Sequence, residues 1–343
     1  MKEYYVTGAI QSSGKLISQV GTILTWKDIF GALMVRWGIA RDKYRVTPGL
    51  YAAGKPSTES DIFVTANYKL SFDHLRKNLS GLNSWILILD TKGINVWCAA
   101  GKGTFGTKEL VTKIKDNELD KLVNHRRLIL PQLGGTGVAA HKVKDATGFN
   151  VQYGPILADD IKRFLDNGYR ADPDMRKVKF GFRDRVKLLP NDFFQGKWYL
   201  LGAMAVTILI SFIKSSFGSL KDLLTIISHP AINSLLSYFS GIVVTPVLLP
   251  YLPGRFFSVK GAISGSFIFL ILLILNFTRN SSLEKISWFF IITAISSFTA
   301  MNFTGSSTFT SLSGVKKEMK ISLPFQIGSA VVGLILQVIS KLI

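Results

Sequence analysis

Apolar residues follow two regimes along this chain, and the change comes near residue 197. Before it, short apolar runs alternate with amphipathic stretches. Residues 62–66 and 85–90 are apolar and rich in strand formers, and 127–130 is a shorter run stopped by Pro131. Residues 107–115 and 139–146 carry helical spacing, 151–153 reads as a strand, and 158–165 as a helix closed near Gly168. This alternation predicts an α/β domain with a mainly parallel sheet. Ligands on such sheets sit in the loops at the C-terminal ends of the strands. Upstream, 26–37 fits an amphipathic helix and 47–60 reads as loop. After residue 197 the runs lengthen to 198–213, 231–252, 261–277, 286–303 and 323–340. Each approaches the roughly 20 residues that cross a bilayer, so an all-α membrane domain of five helices is expected.

Charge sharpens this division. From Lys197 onward the acidic residues are Asp222, Glu284 and Glu318 alone. Residues 1–170 therefore form the expected soluble domain, 171–197 a basic juxtamembrane linker, and 198–343 the membrane domain. The first 50 residues contain no continuous apolar stretch of signal-peptide type, so the N-terminal domain is expected in the cytoplasm. With that end inside, inner segments carry Arg176, Lys177, Lys179, Arg183, Arg185, Lys187, Lys197, Arg255, Lys260, Lys316, Lys317 and Lys320. Outer segments carry Lys214, Lys221, Arg279, Lys285 and Lys341. The excess obeys the positive-inside rule and puts the C-terminus outside a multi-pass inner membrane protein. The net charge of +19 would also suit nucleic acid, but no nucleic-acid motif accompanies it. A belt facing anionic lipid accounts for it, so the expected partner is the lipid bilayer and not nucleic acid.

Candidate chemistry concentrates in 93–107, directly after the strand 85–90. Asn95 is a good helix N-cap. Cys98, the only cysteine, then falls in the first turn, where the helix dipole favours negative charge on sulfur. On residue statistics a lone cysteine is more often an inert buried side chain. Gly101-x-Gly103-x-x-Gly106 spells the dinucleotide fingerprint, but it does not directly end a strand, so its required context is missing. One cysteine excludes an internal disulfide and an internal iron–sulfur cluster, which typically needs four thiolates. Any electrons must come from a partner.

The run Asn95-Val96-Trp97-Cys98-Ala99-Ala100-Gly101-Lys102-Gly103-Thr104-Phe105-Gly106-Thr107 resembles the cap-helix signature of the corrinoid proteins of mercury methylation, the HgcA family. Residues 64–73, 130–134, 148–155 and the membrane segment 303–308 are similar to that family too. The same domain resembles the large subunit of the corrinoid iron–sulfur protein of acetyl-CoA synthesis. That relative lacks the cap cysteine and carries its own cluster, whereas this chain has Cys98 and no cluster ligands.

The resemblance implies a Rossmann-like α/β corrinoid-binding domain and cobalamin as cofactor. It makes Cys98 the lower axial ligand to cobalt. A thiolate pushes electron density toward a methyl group on the opposite face, favouring its departure with the electron pair toward a soft electrophile. The Asp-x-His-x-x-Gly signature of histidine-ligated corrinoid proteins is absent, and His74, His125, His141 and His229 read as surface or polar-satisfied residues. Further roles follow. Val96, Trp97, Ala99 and Ala100 would pack beneath the corrin, and Gly101 and Gly103 would let the backbone approach the ring. Lys102 would meet an amide or propionate-type acceptor or water, with Thr104 closing the set. Gly134, Gly135, Thr136 and Gly137 would receive the corrin tail or form a plain turn, and Thr65 and Asn67 would hydrogen-bond the corrin edge. The hydroxyl-rich stretch from Asn302 to Thr310 would serve helix packing or a polar site.

The expected activity is a cobalamin-dependent methyltransferase forming methylmercury from Hg(II). Its implied partners are a methyl donor of methyltetrahydrofolate type and a small ferredoxin-like protein with two 4Fe–4S clusters, electron donor and mercury carrier. Two rivals stand beside it: a membrane-tethered methyl carrier for one-carbon or acetyl-CoA metabolism, and a corrinoid transporter without turnover. Spans nearly free of acidic residues argue against the transporter.

Overall fold

The computed structural model describes residues 4–214, 219–278, 281–304 and 312–343. The chain splits into two compact units, Met1–Val35 with Ile39–Val178, and Arg36–Gly38 with Lys179–Ile343.

The first unit opens with a hairpin of β1 (Val6–Ser12) and β2 (Lys15–Val20). Its turn, Ser13-Gly14, has positive φ at both residues, the geometry that matches the twist of antiparallel strands. There follow α1 (Trp26–Arg36), β3 (Gly49–Ala53), β4 (Ile62–Ala66), α2 (Lys69–Asn78) and β5 (Ser84–Leu89). Next come α3 (Val96–Lys102), α4 (Thr107–Asp116), α5 (Leu119–Leu122), β6 (Arg127–Leu130), α6 (Ala140–Thr147), β7 (Asn150–Tyr153) and α7 (Ile161–Asp166). One seven-stranded sheet runs β1-β2-β3-β5-β4-β6-β7. Strands β5, β4, β6 and β7 are mutually parallel, β3 pairs antiparallel with β5, and β1 antiparallel with β2.

The expected α/β class with a mainly parallel core is therefore present, and β4 and β6 have the expected bounds. The hairpin and β3 were not expected, and β3 corrects the reading of 47–60 as loop. Its two alanines, Ala52 and Ala53, are fully buried between neighbouring strands. Alternation divides the side chains of the central strands between two cores. Ile62, Val64, Ala66, Trp85, Leu87 and Leu89 pack on the face that holds α3 and α4, whereas Phe63, Ile86 and Ile88 pack against α2 and α7. The result is helix, sheet and helix in three layers.

The second unit is helical: α8 (Phe182–Val186), α9 (Leu189–Gln195), α10 (Lys197–Ser211), α11 (Leu220–Phe239), α12 (Thr245–Val247), α13 (Phe257–Ile274), α14 (Ser282–Phe303) and α15 (Leu312–Leu342). A π-turn at Ser240–Val244 joins α11 to α12. Among the described residues four stretches, Leu220–Val247, Phe257–Ile274, Ser282–Phe303 and Ser313–Leu342, are long and apolar enough to cross a membrane. The fifth expected span differs. α10 has 15 residues, about 22 Å of helix against a hydrocarbon core of about 30 Å. It reaches five spans only if counted with Phe182–Gln195, from which it is bent by 53°. Helix packing here uses small residues. A Cβ on Gly261 would lie 2.5 Å from the Ala300 Cβ and one on Gly265 2.8 Å from that of Ser296, so α13 and α14 approach as a small-xxx-small pair. Ser296 Oγ donates to Gly261 O at 2.7 Å. Residues 305–310 of the hydroxyl-rich stretch lie outside the described residues.

Candidate functional site

After β4 the chain moves to β5 on one side and then crosses to β6 on the other, so the parallel sheet reverses direction at β4 and β6. Loops from neighbouring strands open around such a point. Here α3 lies over the end of β4 and against the turn Gln132–Gly134 that follows β6.

Asn95 initiates α3 as its composition dictates. Its backbone is extended, and its Oδ1 accepts the Cys98 N–H at 2.9 Å. Gly103 ends the helix in the left-handed conformation, φ 80°, and the Thr104 and Phe105 N–H groups both donate to Ala99 O. The seven-residue helix has two distinct faces. Val96, Ala99 and Ala100 are buried in the domain core. Trp97, Cys98, Gly101 and Lys102 are exposed, and Cys98 carries a free thiol. Cys98 is therefore exposed, and not the buried cysteine that residue statistics favour. A Cβ on Gly101 would meet nothing within 4 Å. Glycine costs a helix roughly 1 kcal/mol relative to alanine, and no neighbouring atom of the protein requires it there.

Asn67 is buried directly after β4, and the protein itself occupies its side chain. Oδ1 accepts from the Thr91 N–H (3.1 Å), the Thr91 hydroxyl (2.8 Å) and the Gly93 N–H (2.9 Å), and Nδ2 donates to Asp90 Oδ1 (3.1 Å). The single Thr91 hydroxyl proton is shared with Ile94 O, which lies 2.7 Å from Oγ1. Asn67 thus fixes the loop that aims α3. Thr65 is buried on β4 at an odd position, which alternation turns toward the α2 face and away from α3.

The glycines of 134–137 serve close packing. A Cβ on Gly134 would lie 2.6 Å from the Phe105 ring, and one on Gly137 2.1 Å from Phe105 O and 3.0 Å from Ala100 Cα. Gly137 O accepts the Thr107 N–H at 3.2 Å, and Thr107 Oγ1 accepts the Ala139 N–H at 2.8 Å. The loop is braced from the far side by Tyr153, whose hydroxyl donates to Val138 O at 2.6 Å. Burial raises the Tyr153 pKa, which keeps that donor protonated. Gly135 and Thr136 stay exposed at the tip. Phe105 and Tyr153 stand in the family-like stretches without an assigned role, and Thr91 lies outside them; the roles of all three depend on contacts between distant segments. Among the histidines, His125 is held between Ser60 O and the Arg127 N–H, and His141 is exposed. The described residues contain no group of three His, Cys, Asp or Glu able to hold a metal ion.

Residues 27–165 match the family model of the CO dehydrogenase/acetyl-CoA synthase delta subunit. The chain is 30% identical over 131 residues to an acetyl-CoA decarbonylase/synthase complex subunit gamma of Archaeoglobus fulgidus, covering 38% of this chain and 27% of that one. It is 30% identical over 122 residues to the corrinoid/iron-sulfur protein large subunit of Moorella thermoacetica, covering 35% and 27%. A subunit gamma of Methanopyrus kandleri is 30% identical over 128 residues, covering 37% and 27%. The chain thus spans about a quarter of the length of these relatives. Its N-terminal unit resembles the corrinoid domain of the corrinoid/iron-sulfur protein large subunit, and the apolar helices lie beyond the matched region.

Proposed function

We propose that the first unit binds a cobalt corrinoid, cobalamin or a close relative, on the outward face of α3, and that Cys98 is its lower axial ligand. The observation that carries this reading is the pairing of the exposed Cys98 thiol with Gly101, three residues on and therefore on the same helix face, over open space. A flat macrocycle seated on sulfur needs clearance beside its ligand, and a larger side chain at 101 would remove it. Sulfur donors suit soft or borderline metals. The likeness of 27–165 to the corrinoid/iron-sulfur protein large subunit supports the same cofactor.

The coarse activity is that of a corrinoid methyl carrier in one-carbon metabolism. The finer reading is a methyltransferase that forms methylmercury. When bound, the corrinoid supplies a cobalt that carries methyl and can yield it with its bonding electrons to Hg(II), the substrate. Cys98 would offer its sulfur to that cobalt. Asn95 holds the Cys98 amide, and Asn67 fixes the approach to α3. Trp97 and Lys102 lie on the same outward face and would bound the ring, while Gly135 and Thr136 offer a tip for the corrin tail. Ala99, Ala100 and Val96 set the height of the helix from within the core.

In this reading the N-terminal domain lies in the cytoplasm, the C-terminal helices make five spans with the bent pair counting as one, and the C-terminus lies outside. A ferredoxin-like partner with two 4Fe–4S clusters restores the reduced corrinoid and delivers mercury, and a methyltetrahydrofolate-type donor supplies methyl. The names of the relatives favour a second reading, methyl transfer to a nucleophilic acceptor in acetyl-CoA metabolism.

The test compares ultraviolet–visible spectra of the full chain reconstituted with cobalamin, wild type against Cys98→Ala, together with methylmercury yield in the presence of the reductant partner, methyl donor and Hg(II). The expected result is bound cobalamin in both proteins, a changed Co(III) spectrum without Cys98, and loss of methylmercury. Identical spectra would remove the axial-ligand assignment. A changed spectrum without methylmercury from the wild type would favour the acetyl-CoA reading.

A further inference from the structure

Helix α1 is amphipathic in the inverse sense. Its inward face carries a carboxylate, Asp28, which is 1% exposed, with Val35. Its outward face carries Trp26, Ile29, Phe30 and Leu33, preceded by Ile23, and these side chains are 53–82% exposed. The spacing i, i+3, i+4, i+7 makes the four helical residues one stripe. Soluble surfaces scatter single apolar residues; a contiguous stripe of this size marks an interaction site.

The stripe cannot turn inward, because buried charges set the rotation of the helix. Asp28 Oδ1 lies 2.6 Å from Lys69 Nζ and 2.7 Å from Arg76 Nη2. Both cations also reach Asp73, at 2.7 and 2.8 Å. Asp28 Oδ2 accepts the Thr25 N–H at 2.8 Å and the Thr25 hydroxyl at 2.9 Å. Rolling α1 to bury its aromatic side would take Asp28 from both cations and leave Lys69 and Arg76 with Asp73 alone, and breaking one buried pair typically costs about 3–5 kcal/mol.

We infer that the α1 stripe lies in the surface of the bilayer, a lipid-docking face on the N-terminal unit, an inference that rests on the membrane reading of the C-terminal helices but not on the corrinoid reading. Two observations select lipid. The chain carries helices long and apolar enough to cross a membrane, and where they do so a bilayer is present at high effective concentration. The charge also suits anionic lipid: residues 26–45 hold Lys27, Arg36, Arg41, Lys43 and Arg45 against Asp28 and Asp42, and Asp28 is consumed inside. Trp, Phe and Leu on one face with basic residues nearby is the composition of a helix that lies in the headgroup region, its apolar side about 5–10 Å deep. Such docking would fix the tilt of the unit and with it the direction that α3 faces.

The experiment places an environment-sensitive nitrobenzoxadiazole fluorophore at position 33 of the full chain, as Leu33→Cys in a Cys98→Ser background. The protein is held in nanodiscs of phosphatidylcholine and phosphatidylglycerol. A control label sits at Lys142→Cys, on the exposed side of α6. The expected result is a blue-shifted emission at position 33 that doxyl groups high on the acyl chain quench, with neither effect at position 142. Adding Ile29→Lys and Phe30→Lys should abolish the quenching, and both positions are exposed enough to leave the core untouched. Water-like, unquenched emission at 33 would overturn the proposal. So would a blue shift that ignores doxyl lipid and grows with protein concentration, which would assign the face to a second copy, or quenching that survives both lysines.

Discussion

Replacing Asn67 by Ala tests whether the candidate site is aimed from below. In the native protein one amide oxygen accepts the Thr91 N–H, the Thr91 hydroxyl and the Gly93 N–H. Alanine removes that acceptor while the β4 backbone is unchanged. The Thr91 hydroxyl keeps Ile94 O, but the Thr91 amide sits in a fully buried residue and loses its partner. A buried donor left unsatisfied costs about 1–3 kcal/mol, and an ordinary hydrogen bond such as that of the half-buried Gly93 about 0.5–1.5 kcal/mol. The sum, roughly 1.5–4.5 kcal/mol, falls on local opening of the loop 90–95. At about 1.4 kcal/mol per tenfold, amides 91 and 93 should exchange hydrogen roughly 10- to 1,500-fold faster. The central strand β5 should stay protected, and cobalamin retention should fall. Asn67→Asp separates acceptor from donor: it keeps the three accepted bonds but sets a second carboxylate about 3 Å from Asp90, so it should weaken the loop less. Unchanged exchange at 91 and 93 in Asn67→Ala would refute the assignment of Asn67 as the residue that positions α3.

The other predictions concern packing, clearance and charge. Gly101→Leu should stabilise α3 by about 0.5–1 kcal/mol, because the position is helical and open, yet reduce cobalamin retention; opposite signs in urea unfolding and cofactor titration are the expected signature. Gly137→Ala would put a Cβ 2.1 Å from Phe105 O, so the two loops must separate, at about 1–3 kcal/mol, measured as a lower unfolding midpoint and weaker cobalamin binding. Burial alone would raise the Asp28 pKa, but hydrogen bonds from Lys69, the Thr25 amide and Arg76 outweigh it and hold the carboxyl well below 3.8. A depressed folded value means that the stabilisation is present above the ordinary carboxylate range and is lost as pH falls below about 4. Asp28→Asn should therefore cost about 3–5 kcal/mol at neutral pH and flatten the acid limb of stability, both read from urea midpoints at pH 7 and pH 3.

What the sequence made legible follows its physics. β4, β5 and β6 are continuous apolar runs because both faces of the sheet are covered, and such runs announce themselves. The Asn95 cap was readable because N-cap chemistry is local, and with it the position of Cys98. β3 was not, since Ala52 and Ala53 between Pro48 and Pro56 look like loop until neighbouring strands bury them. The Ser13-Gly14 turn offered a hairpin signal, but the flanking strands mix polar and small residues. α2 was hidden because its inward side includes Lys69, Asp73 and Arg76, the inverse of the expected pattern, and the rotation of α1 depends on those same charges. The wiring of Asn67 and the close approach at Gly137 join residues from different strands. No local rule reveals them.

The order of strands across the sheet follows the order of strands along the chain almost throughout, the exceptions being the exchange of β4 and β5 and the reach of β6 back to β4. Among the described residues every strand lies before residue 154, and the first of the long apolar helices begins at Leu220. During synthesis, domains generally fold as units from the N-terminus. The N-terminal unit has all of its sequence outside the ribosome before the helices that are long and apolar enough to cross a membrane have emerged. The sheet can therefore assemble first, and the apolar helices emerge behind a body that already has its shape.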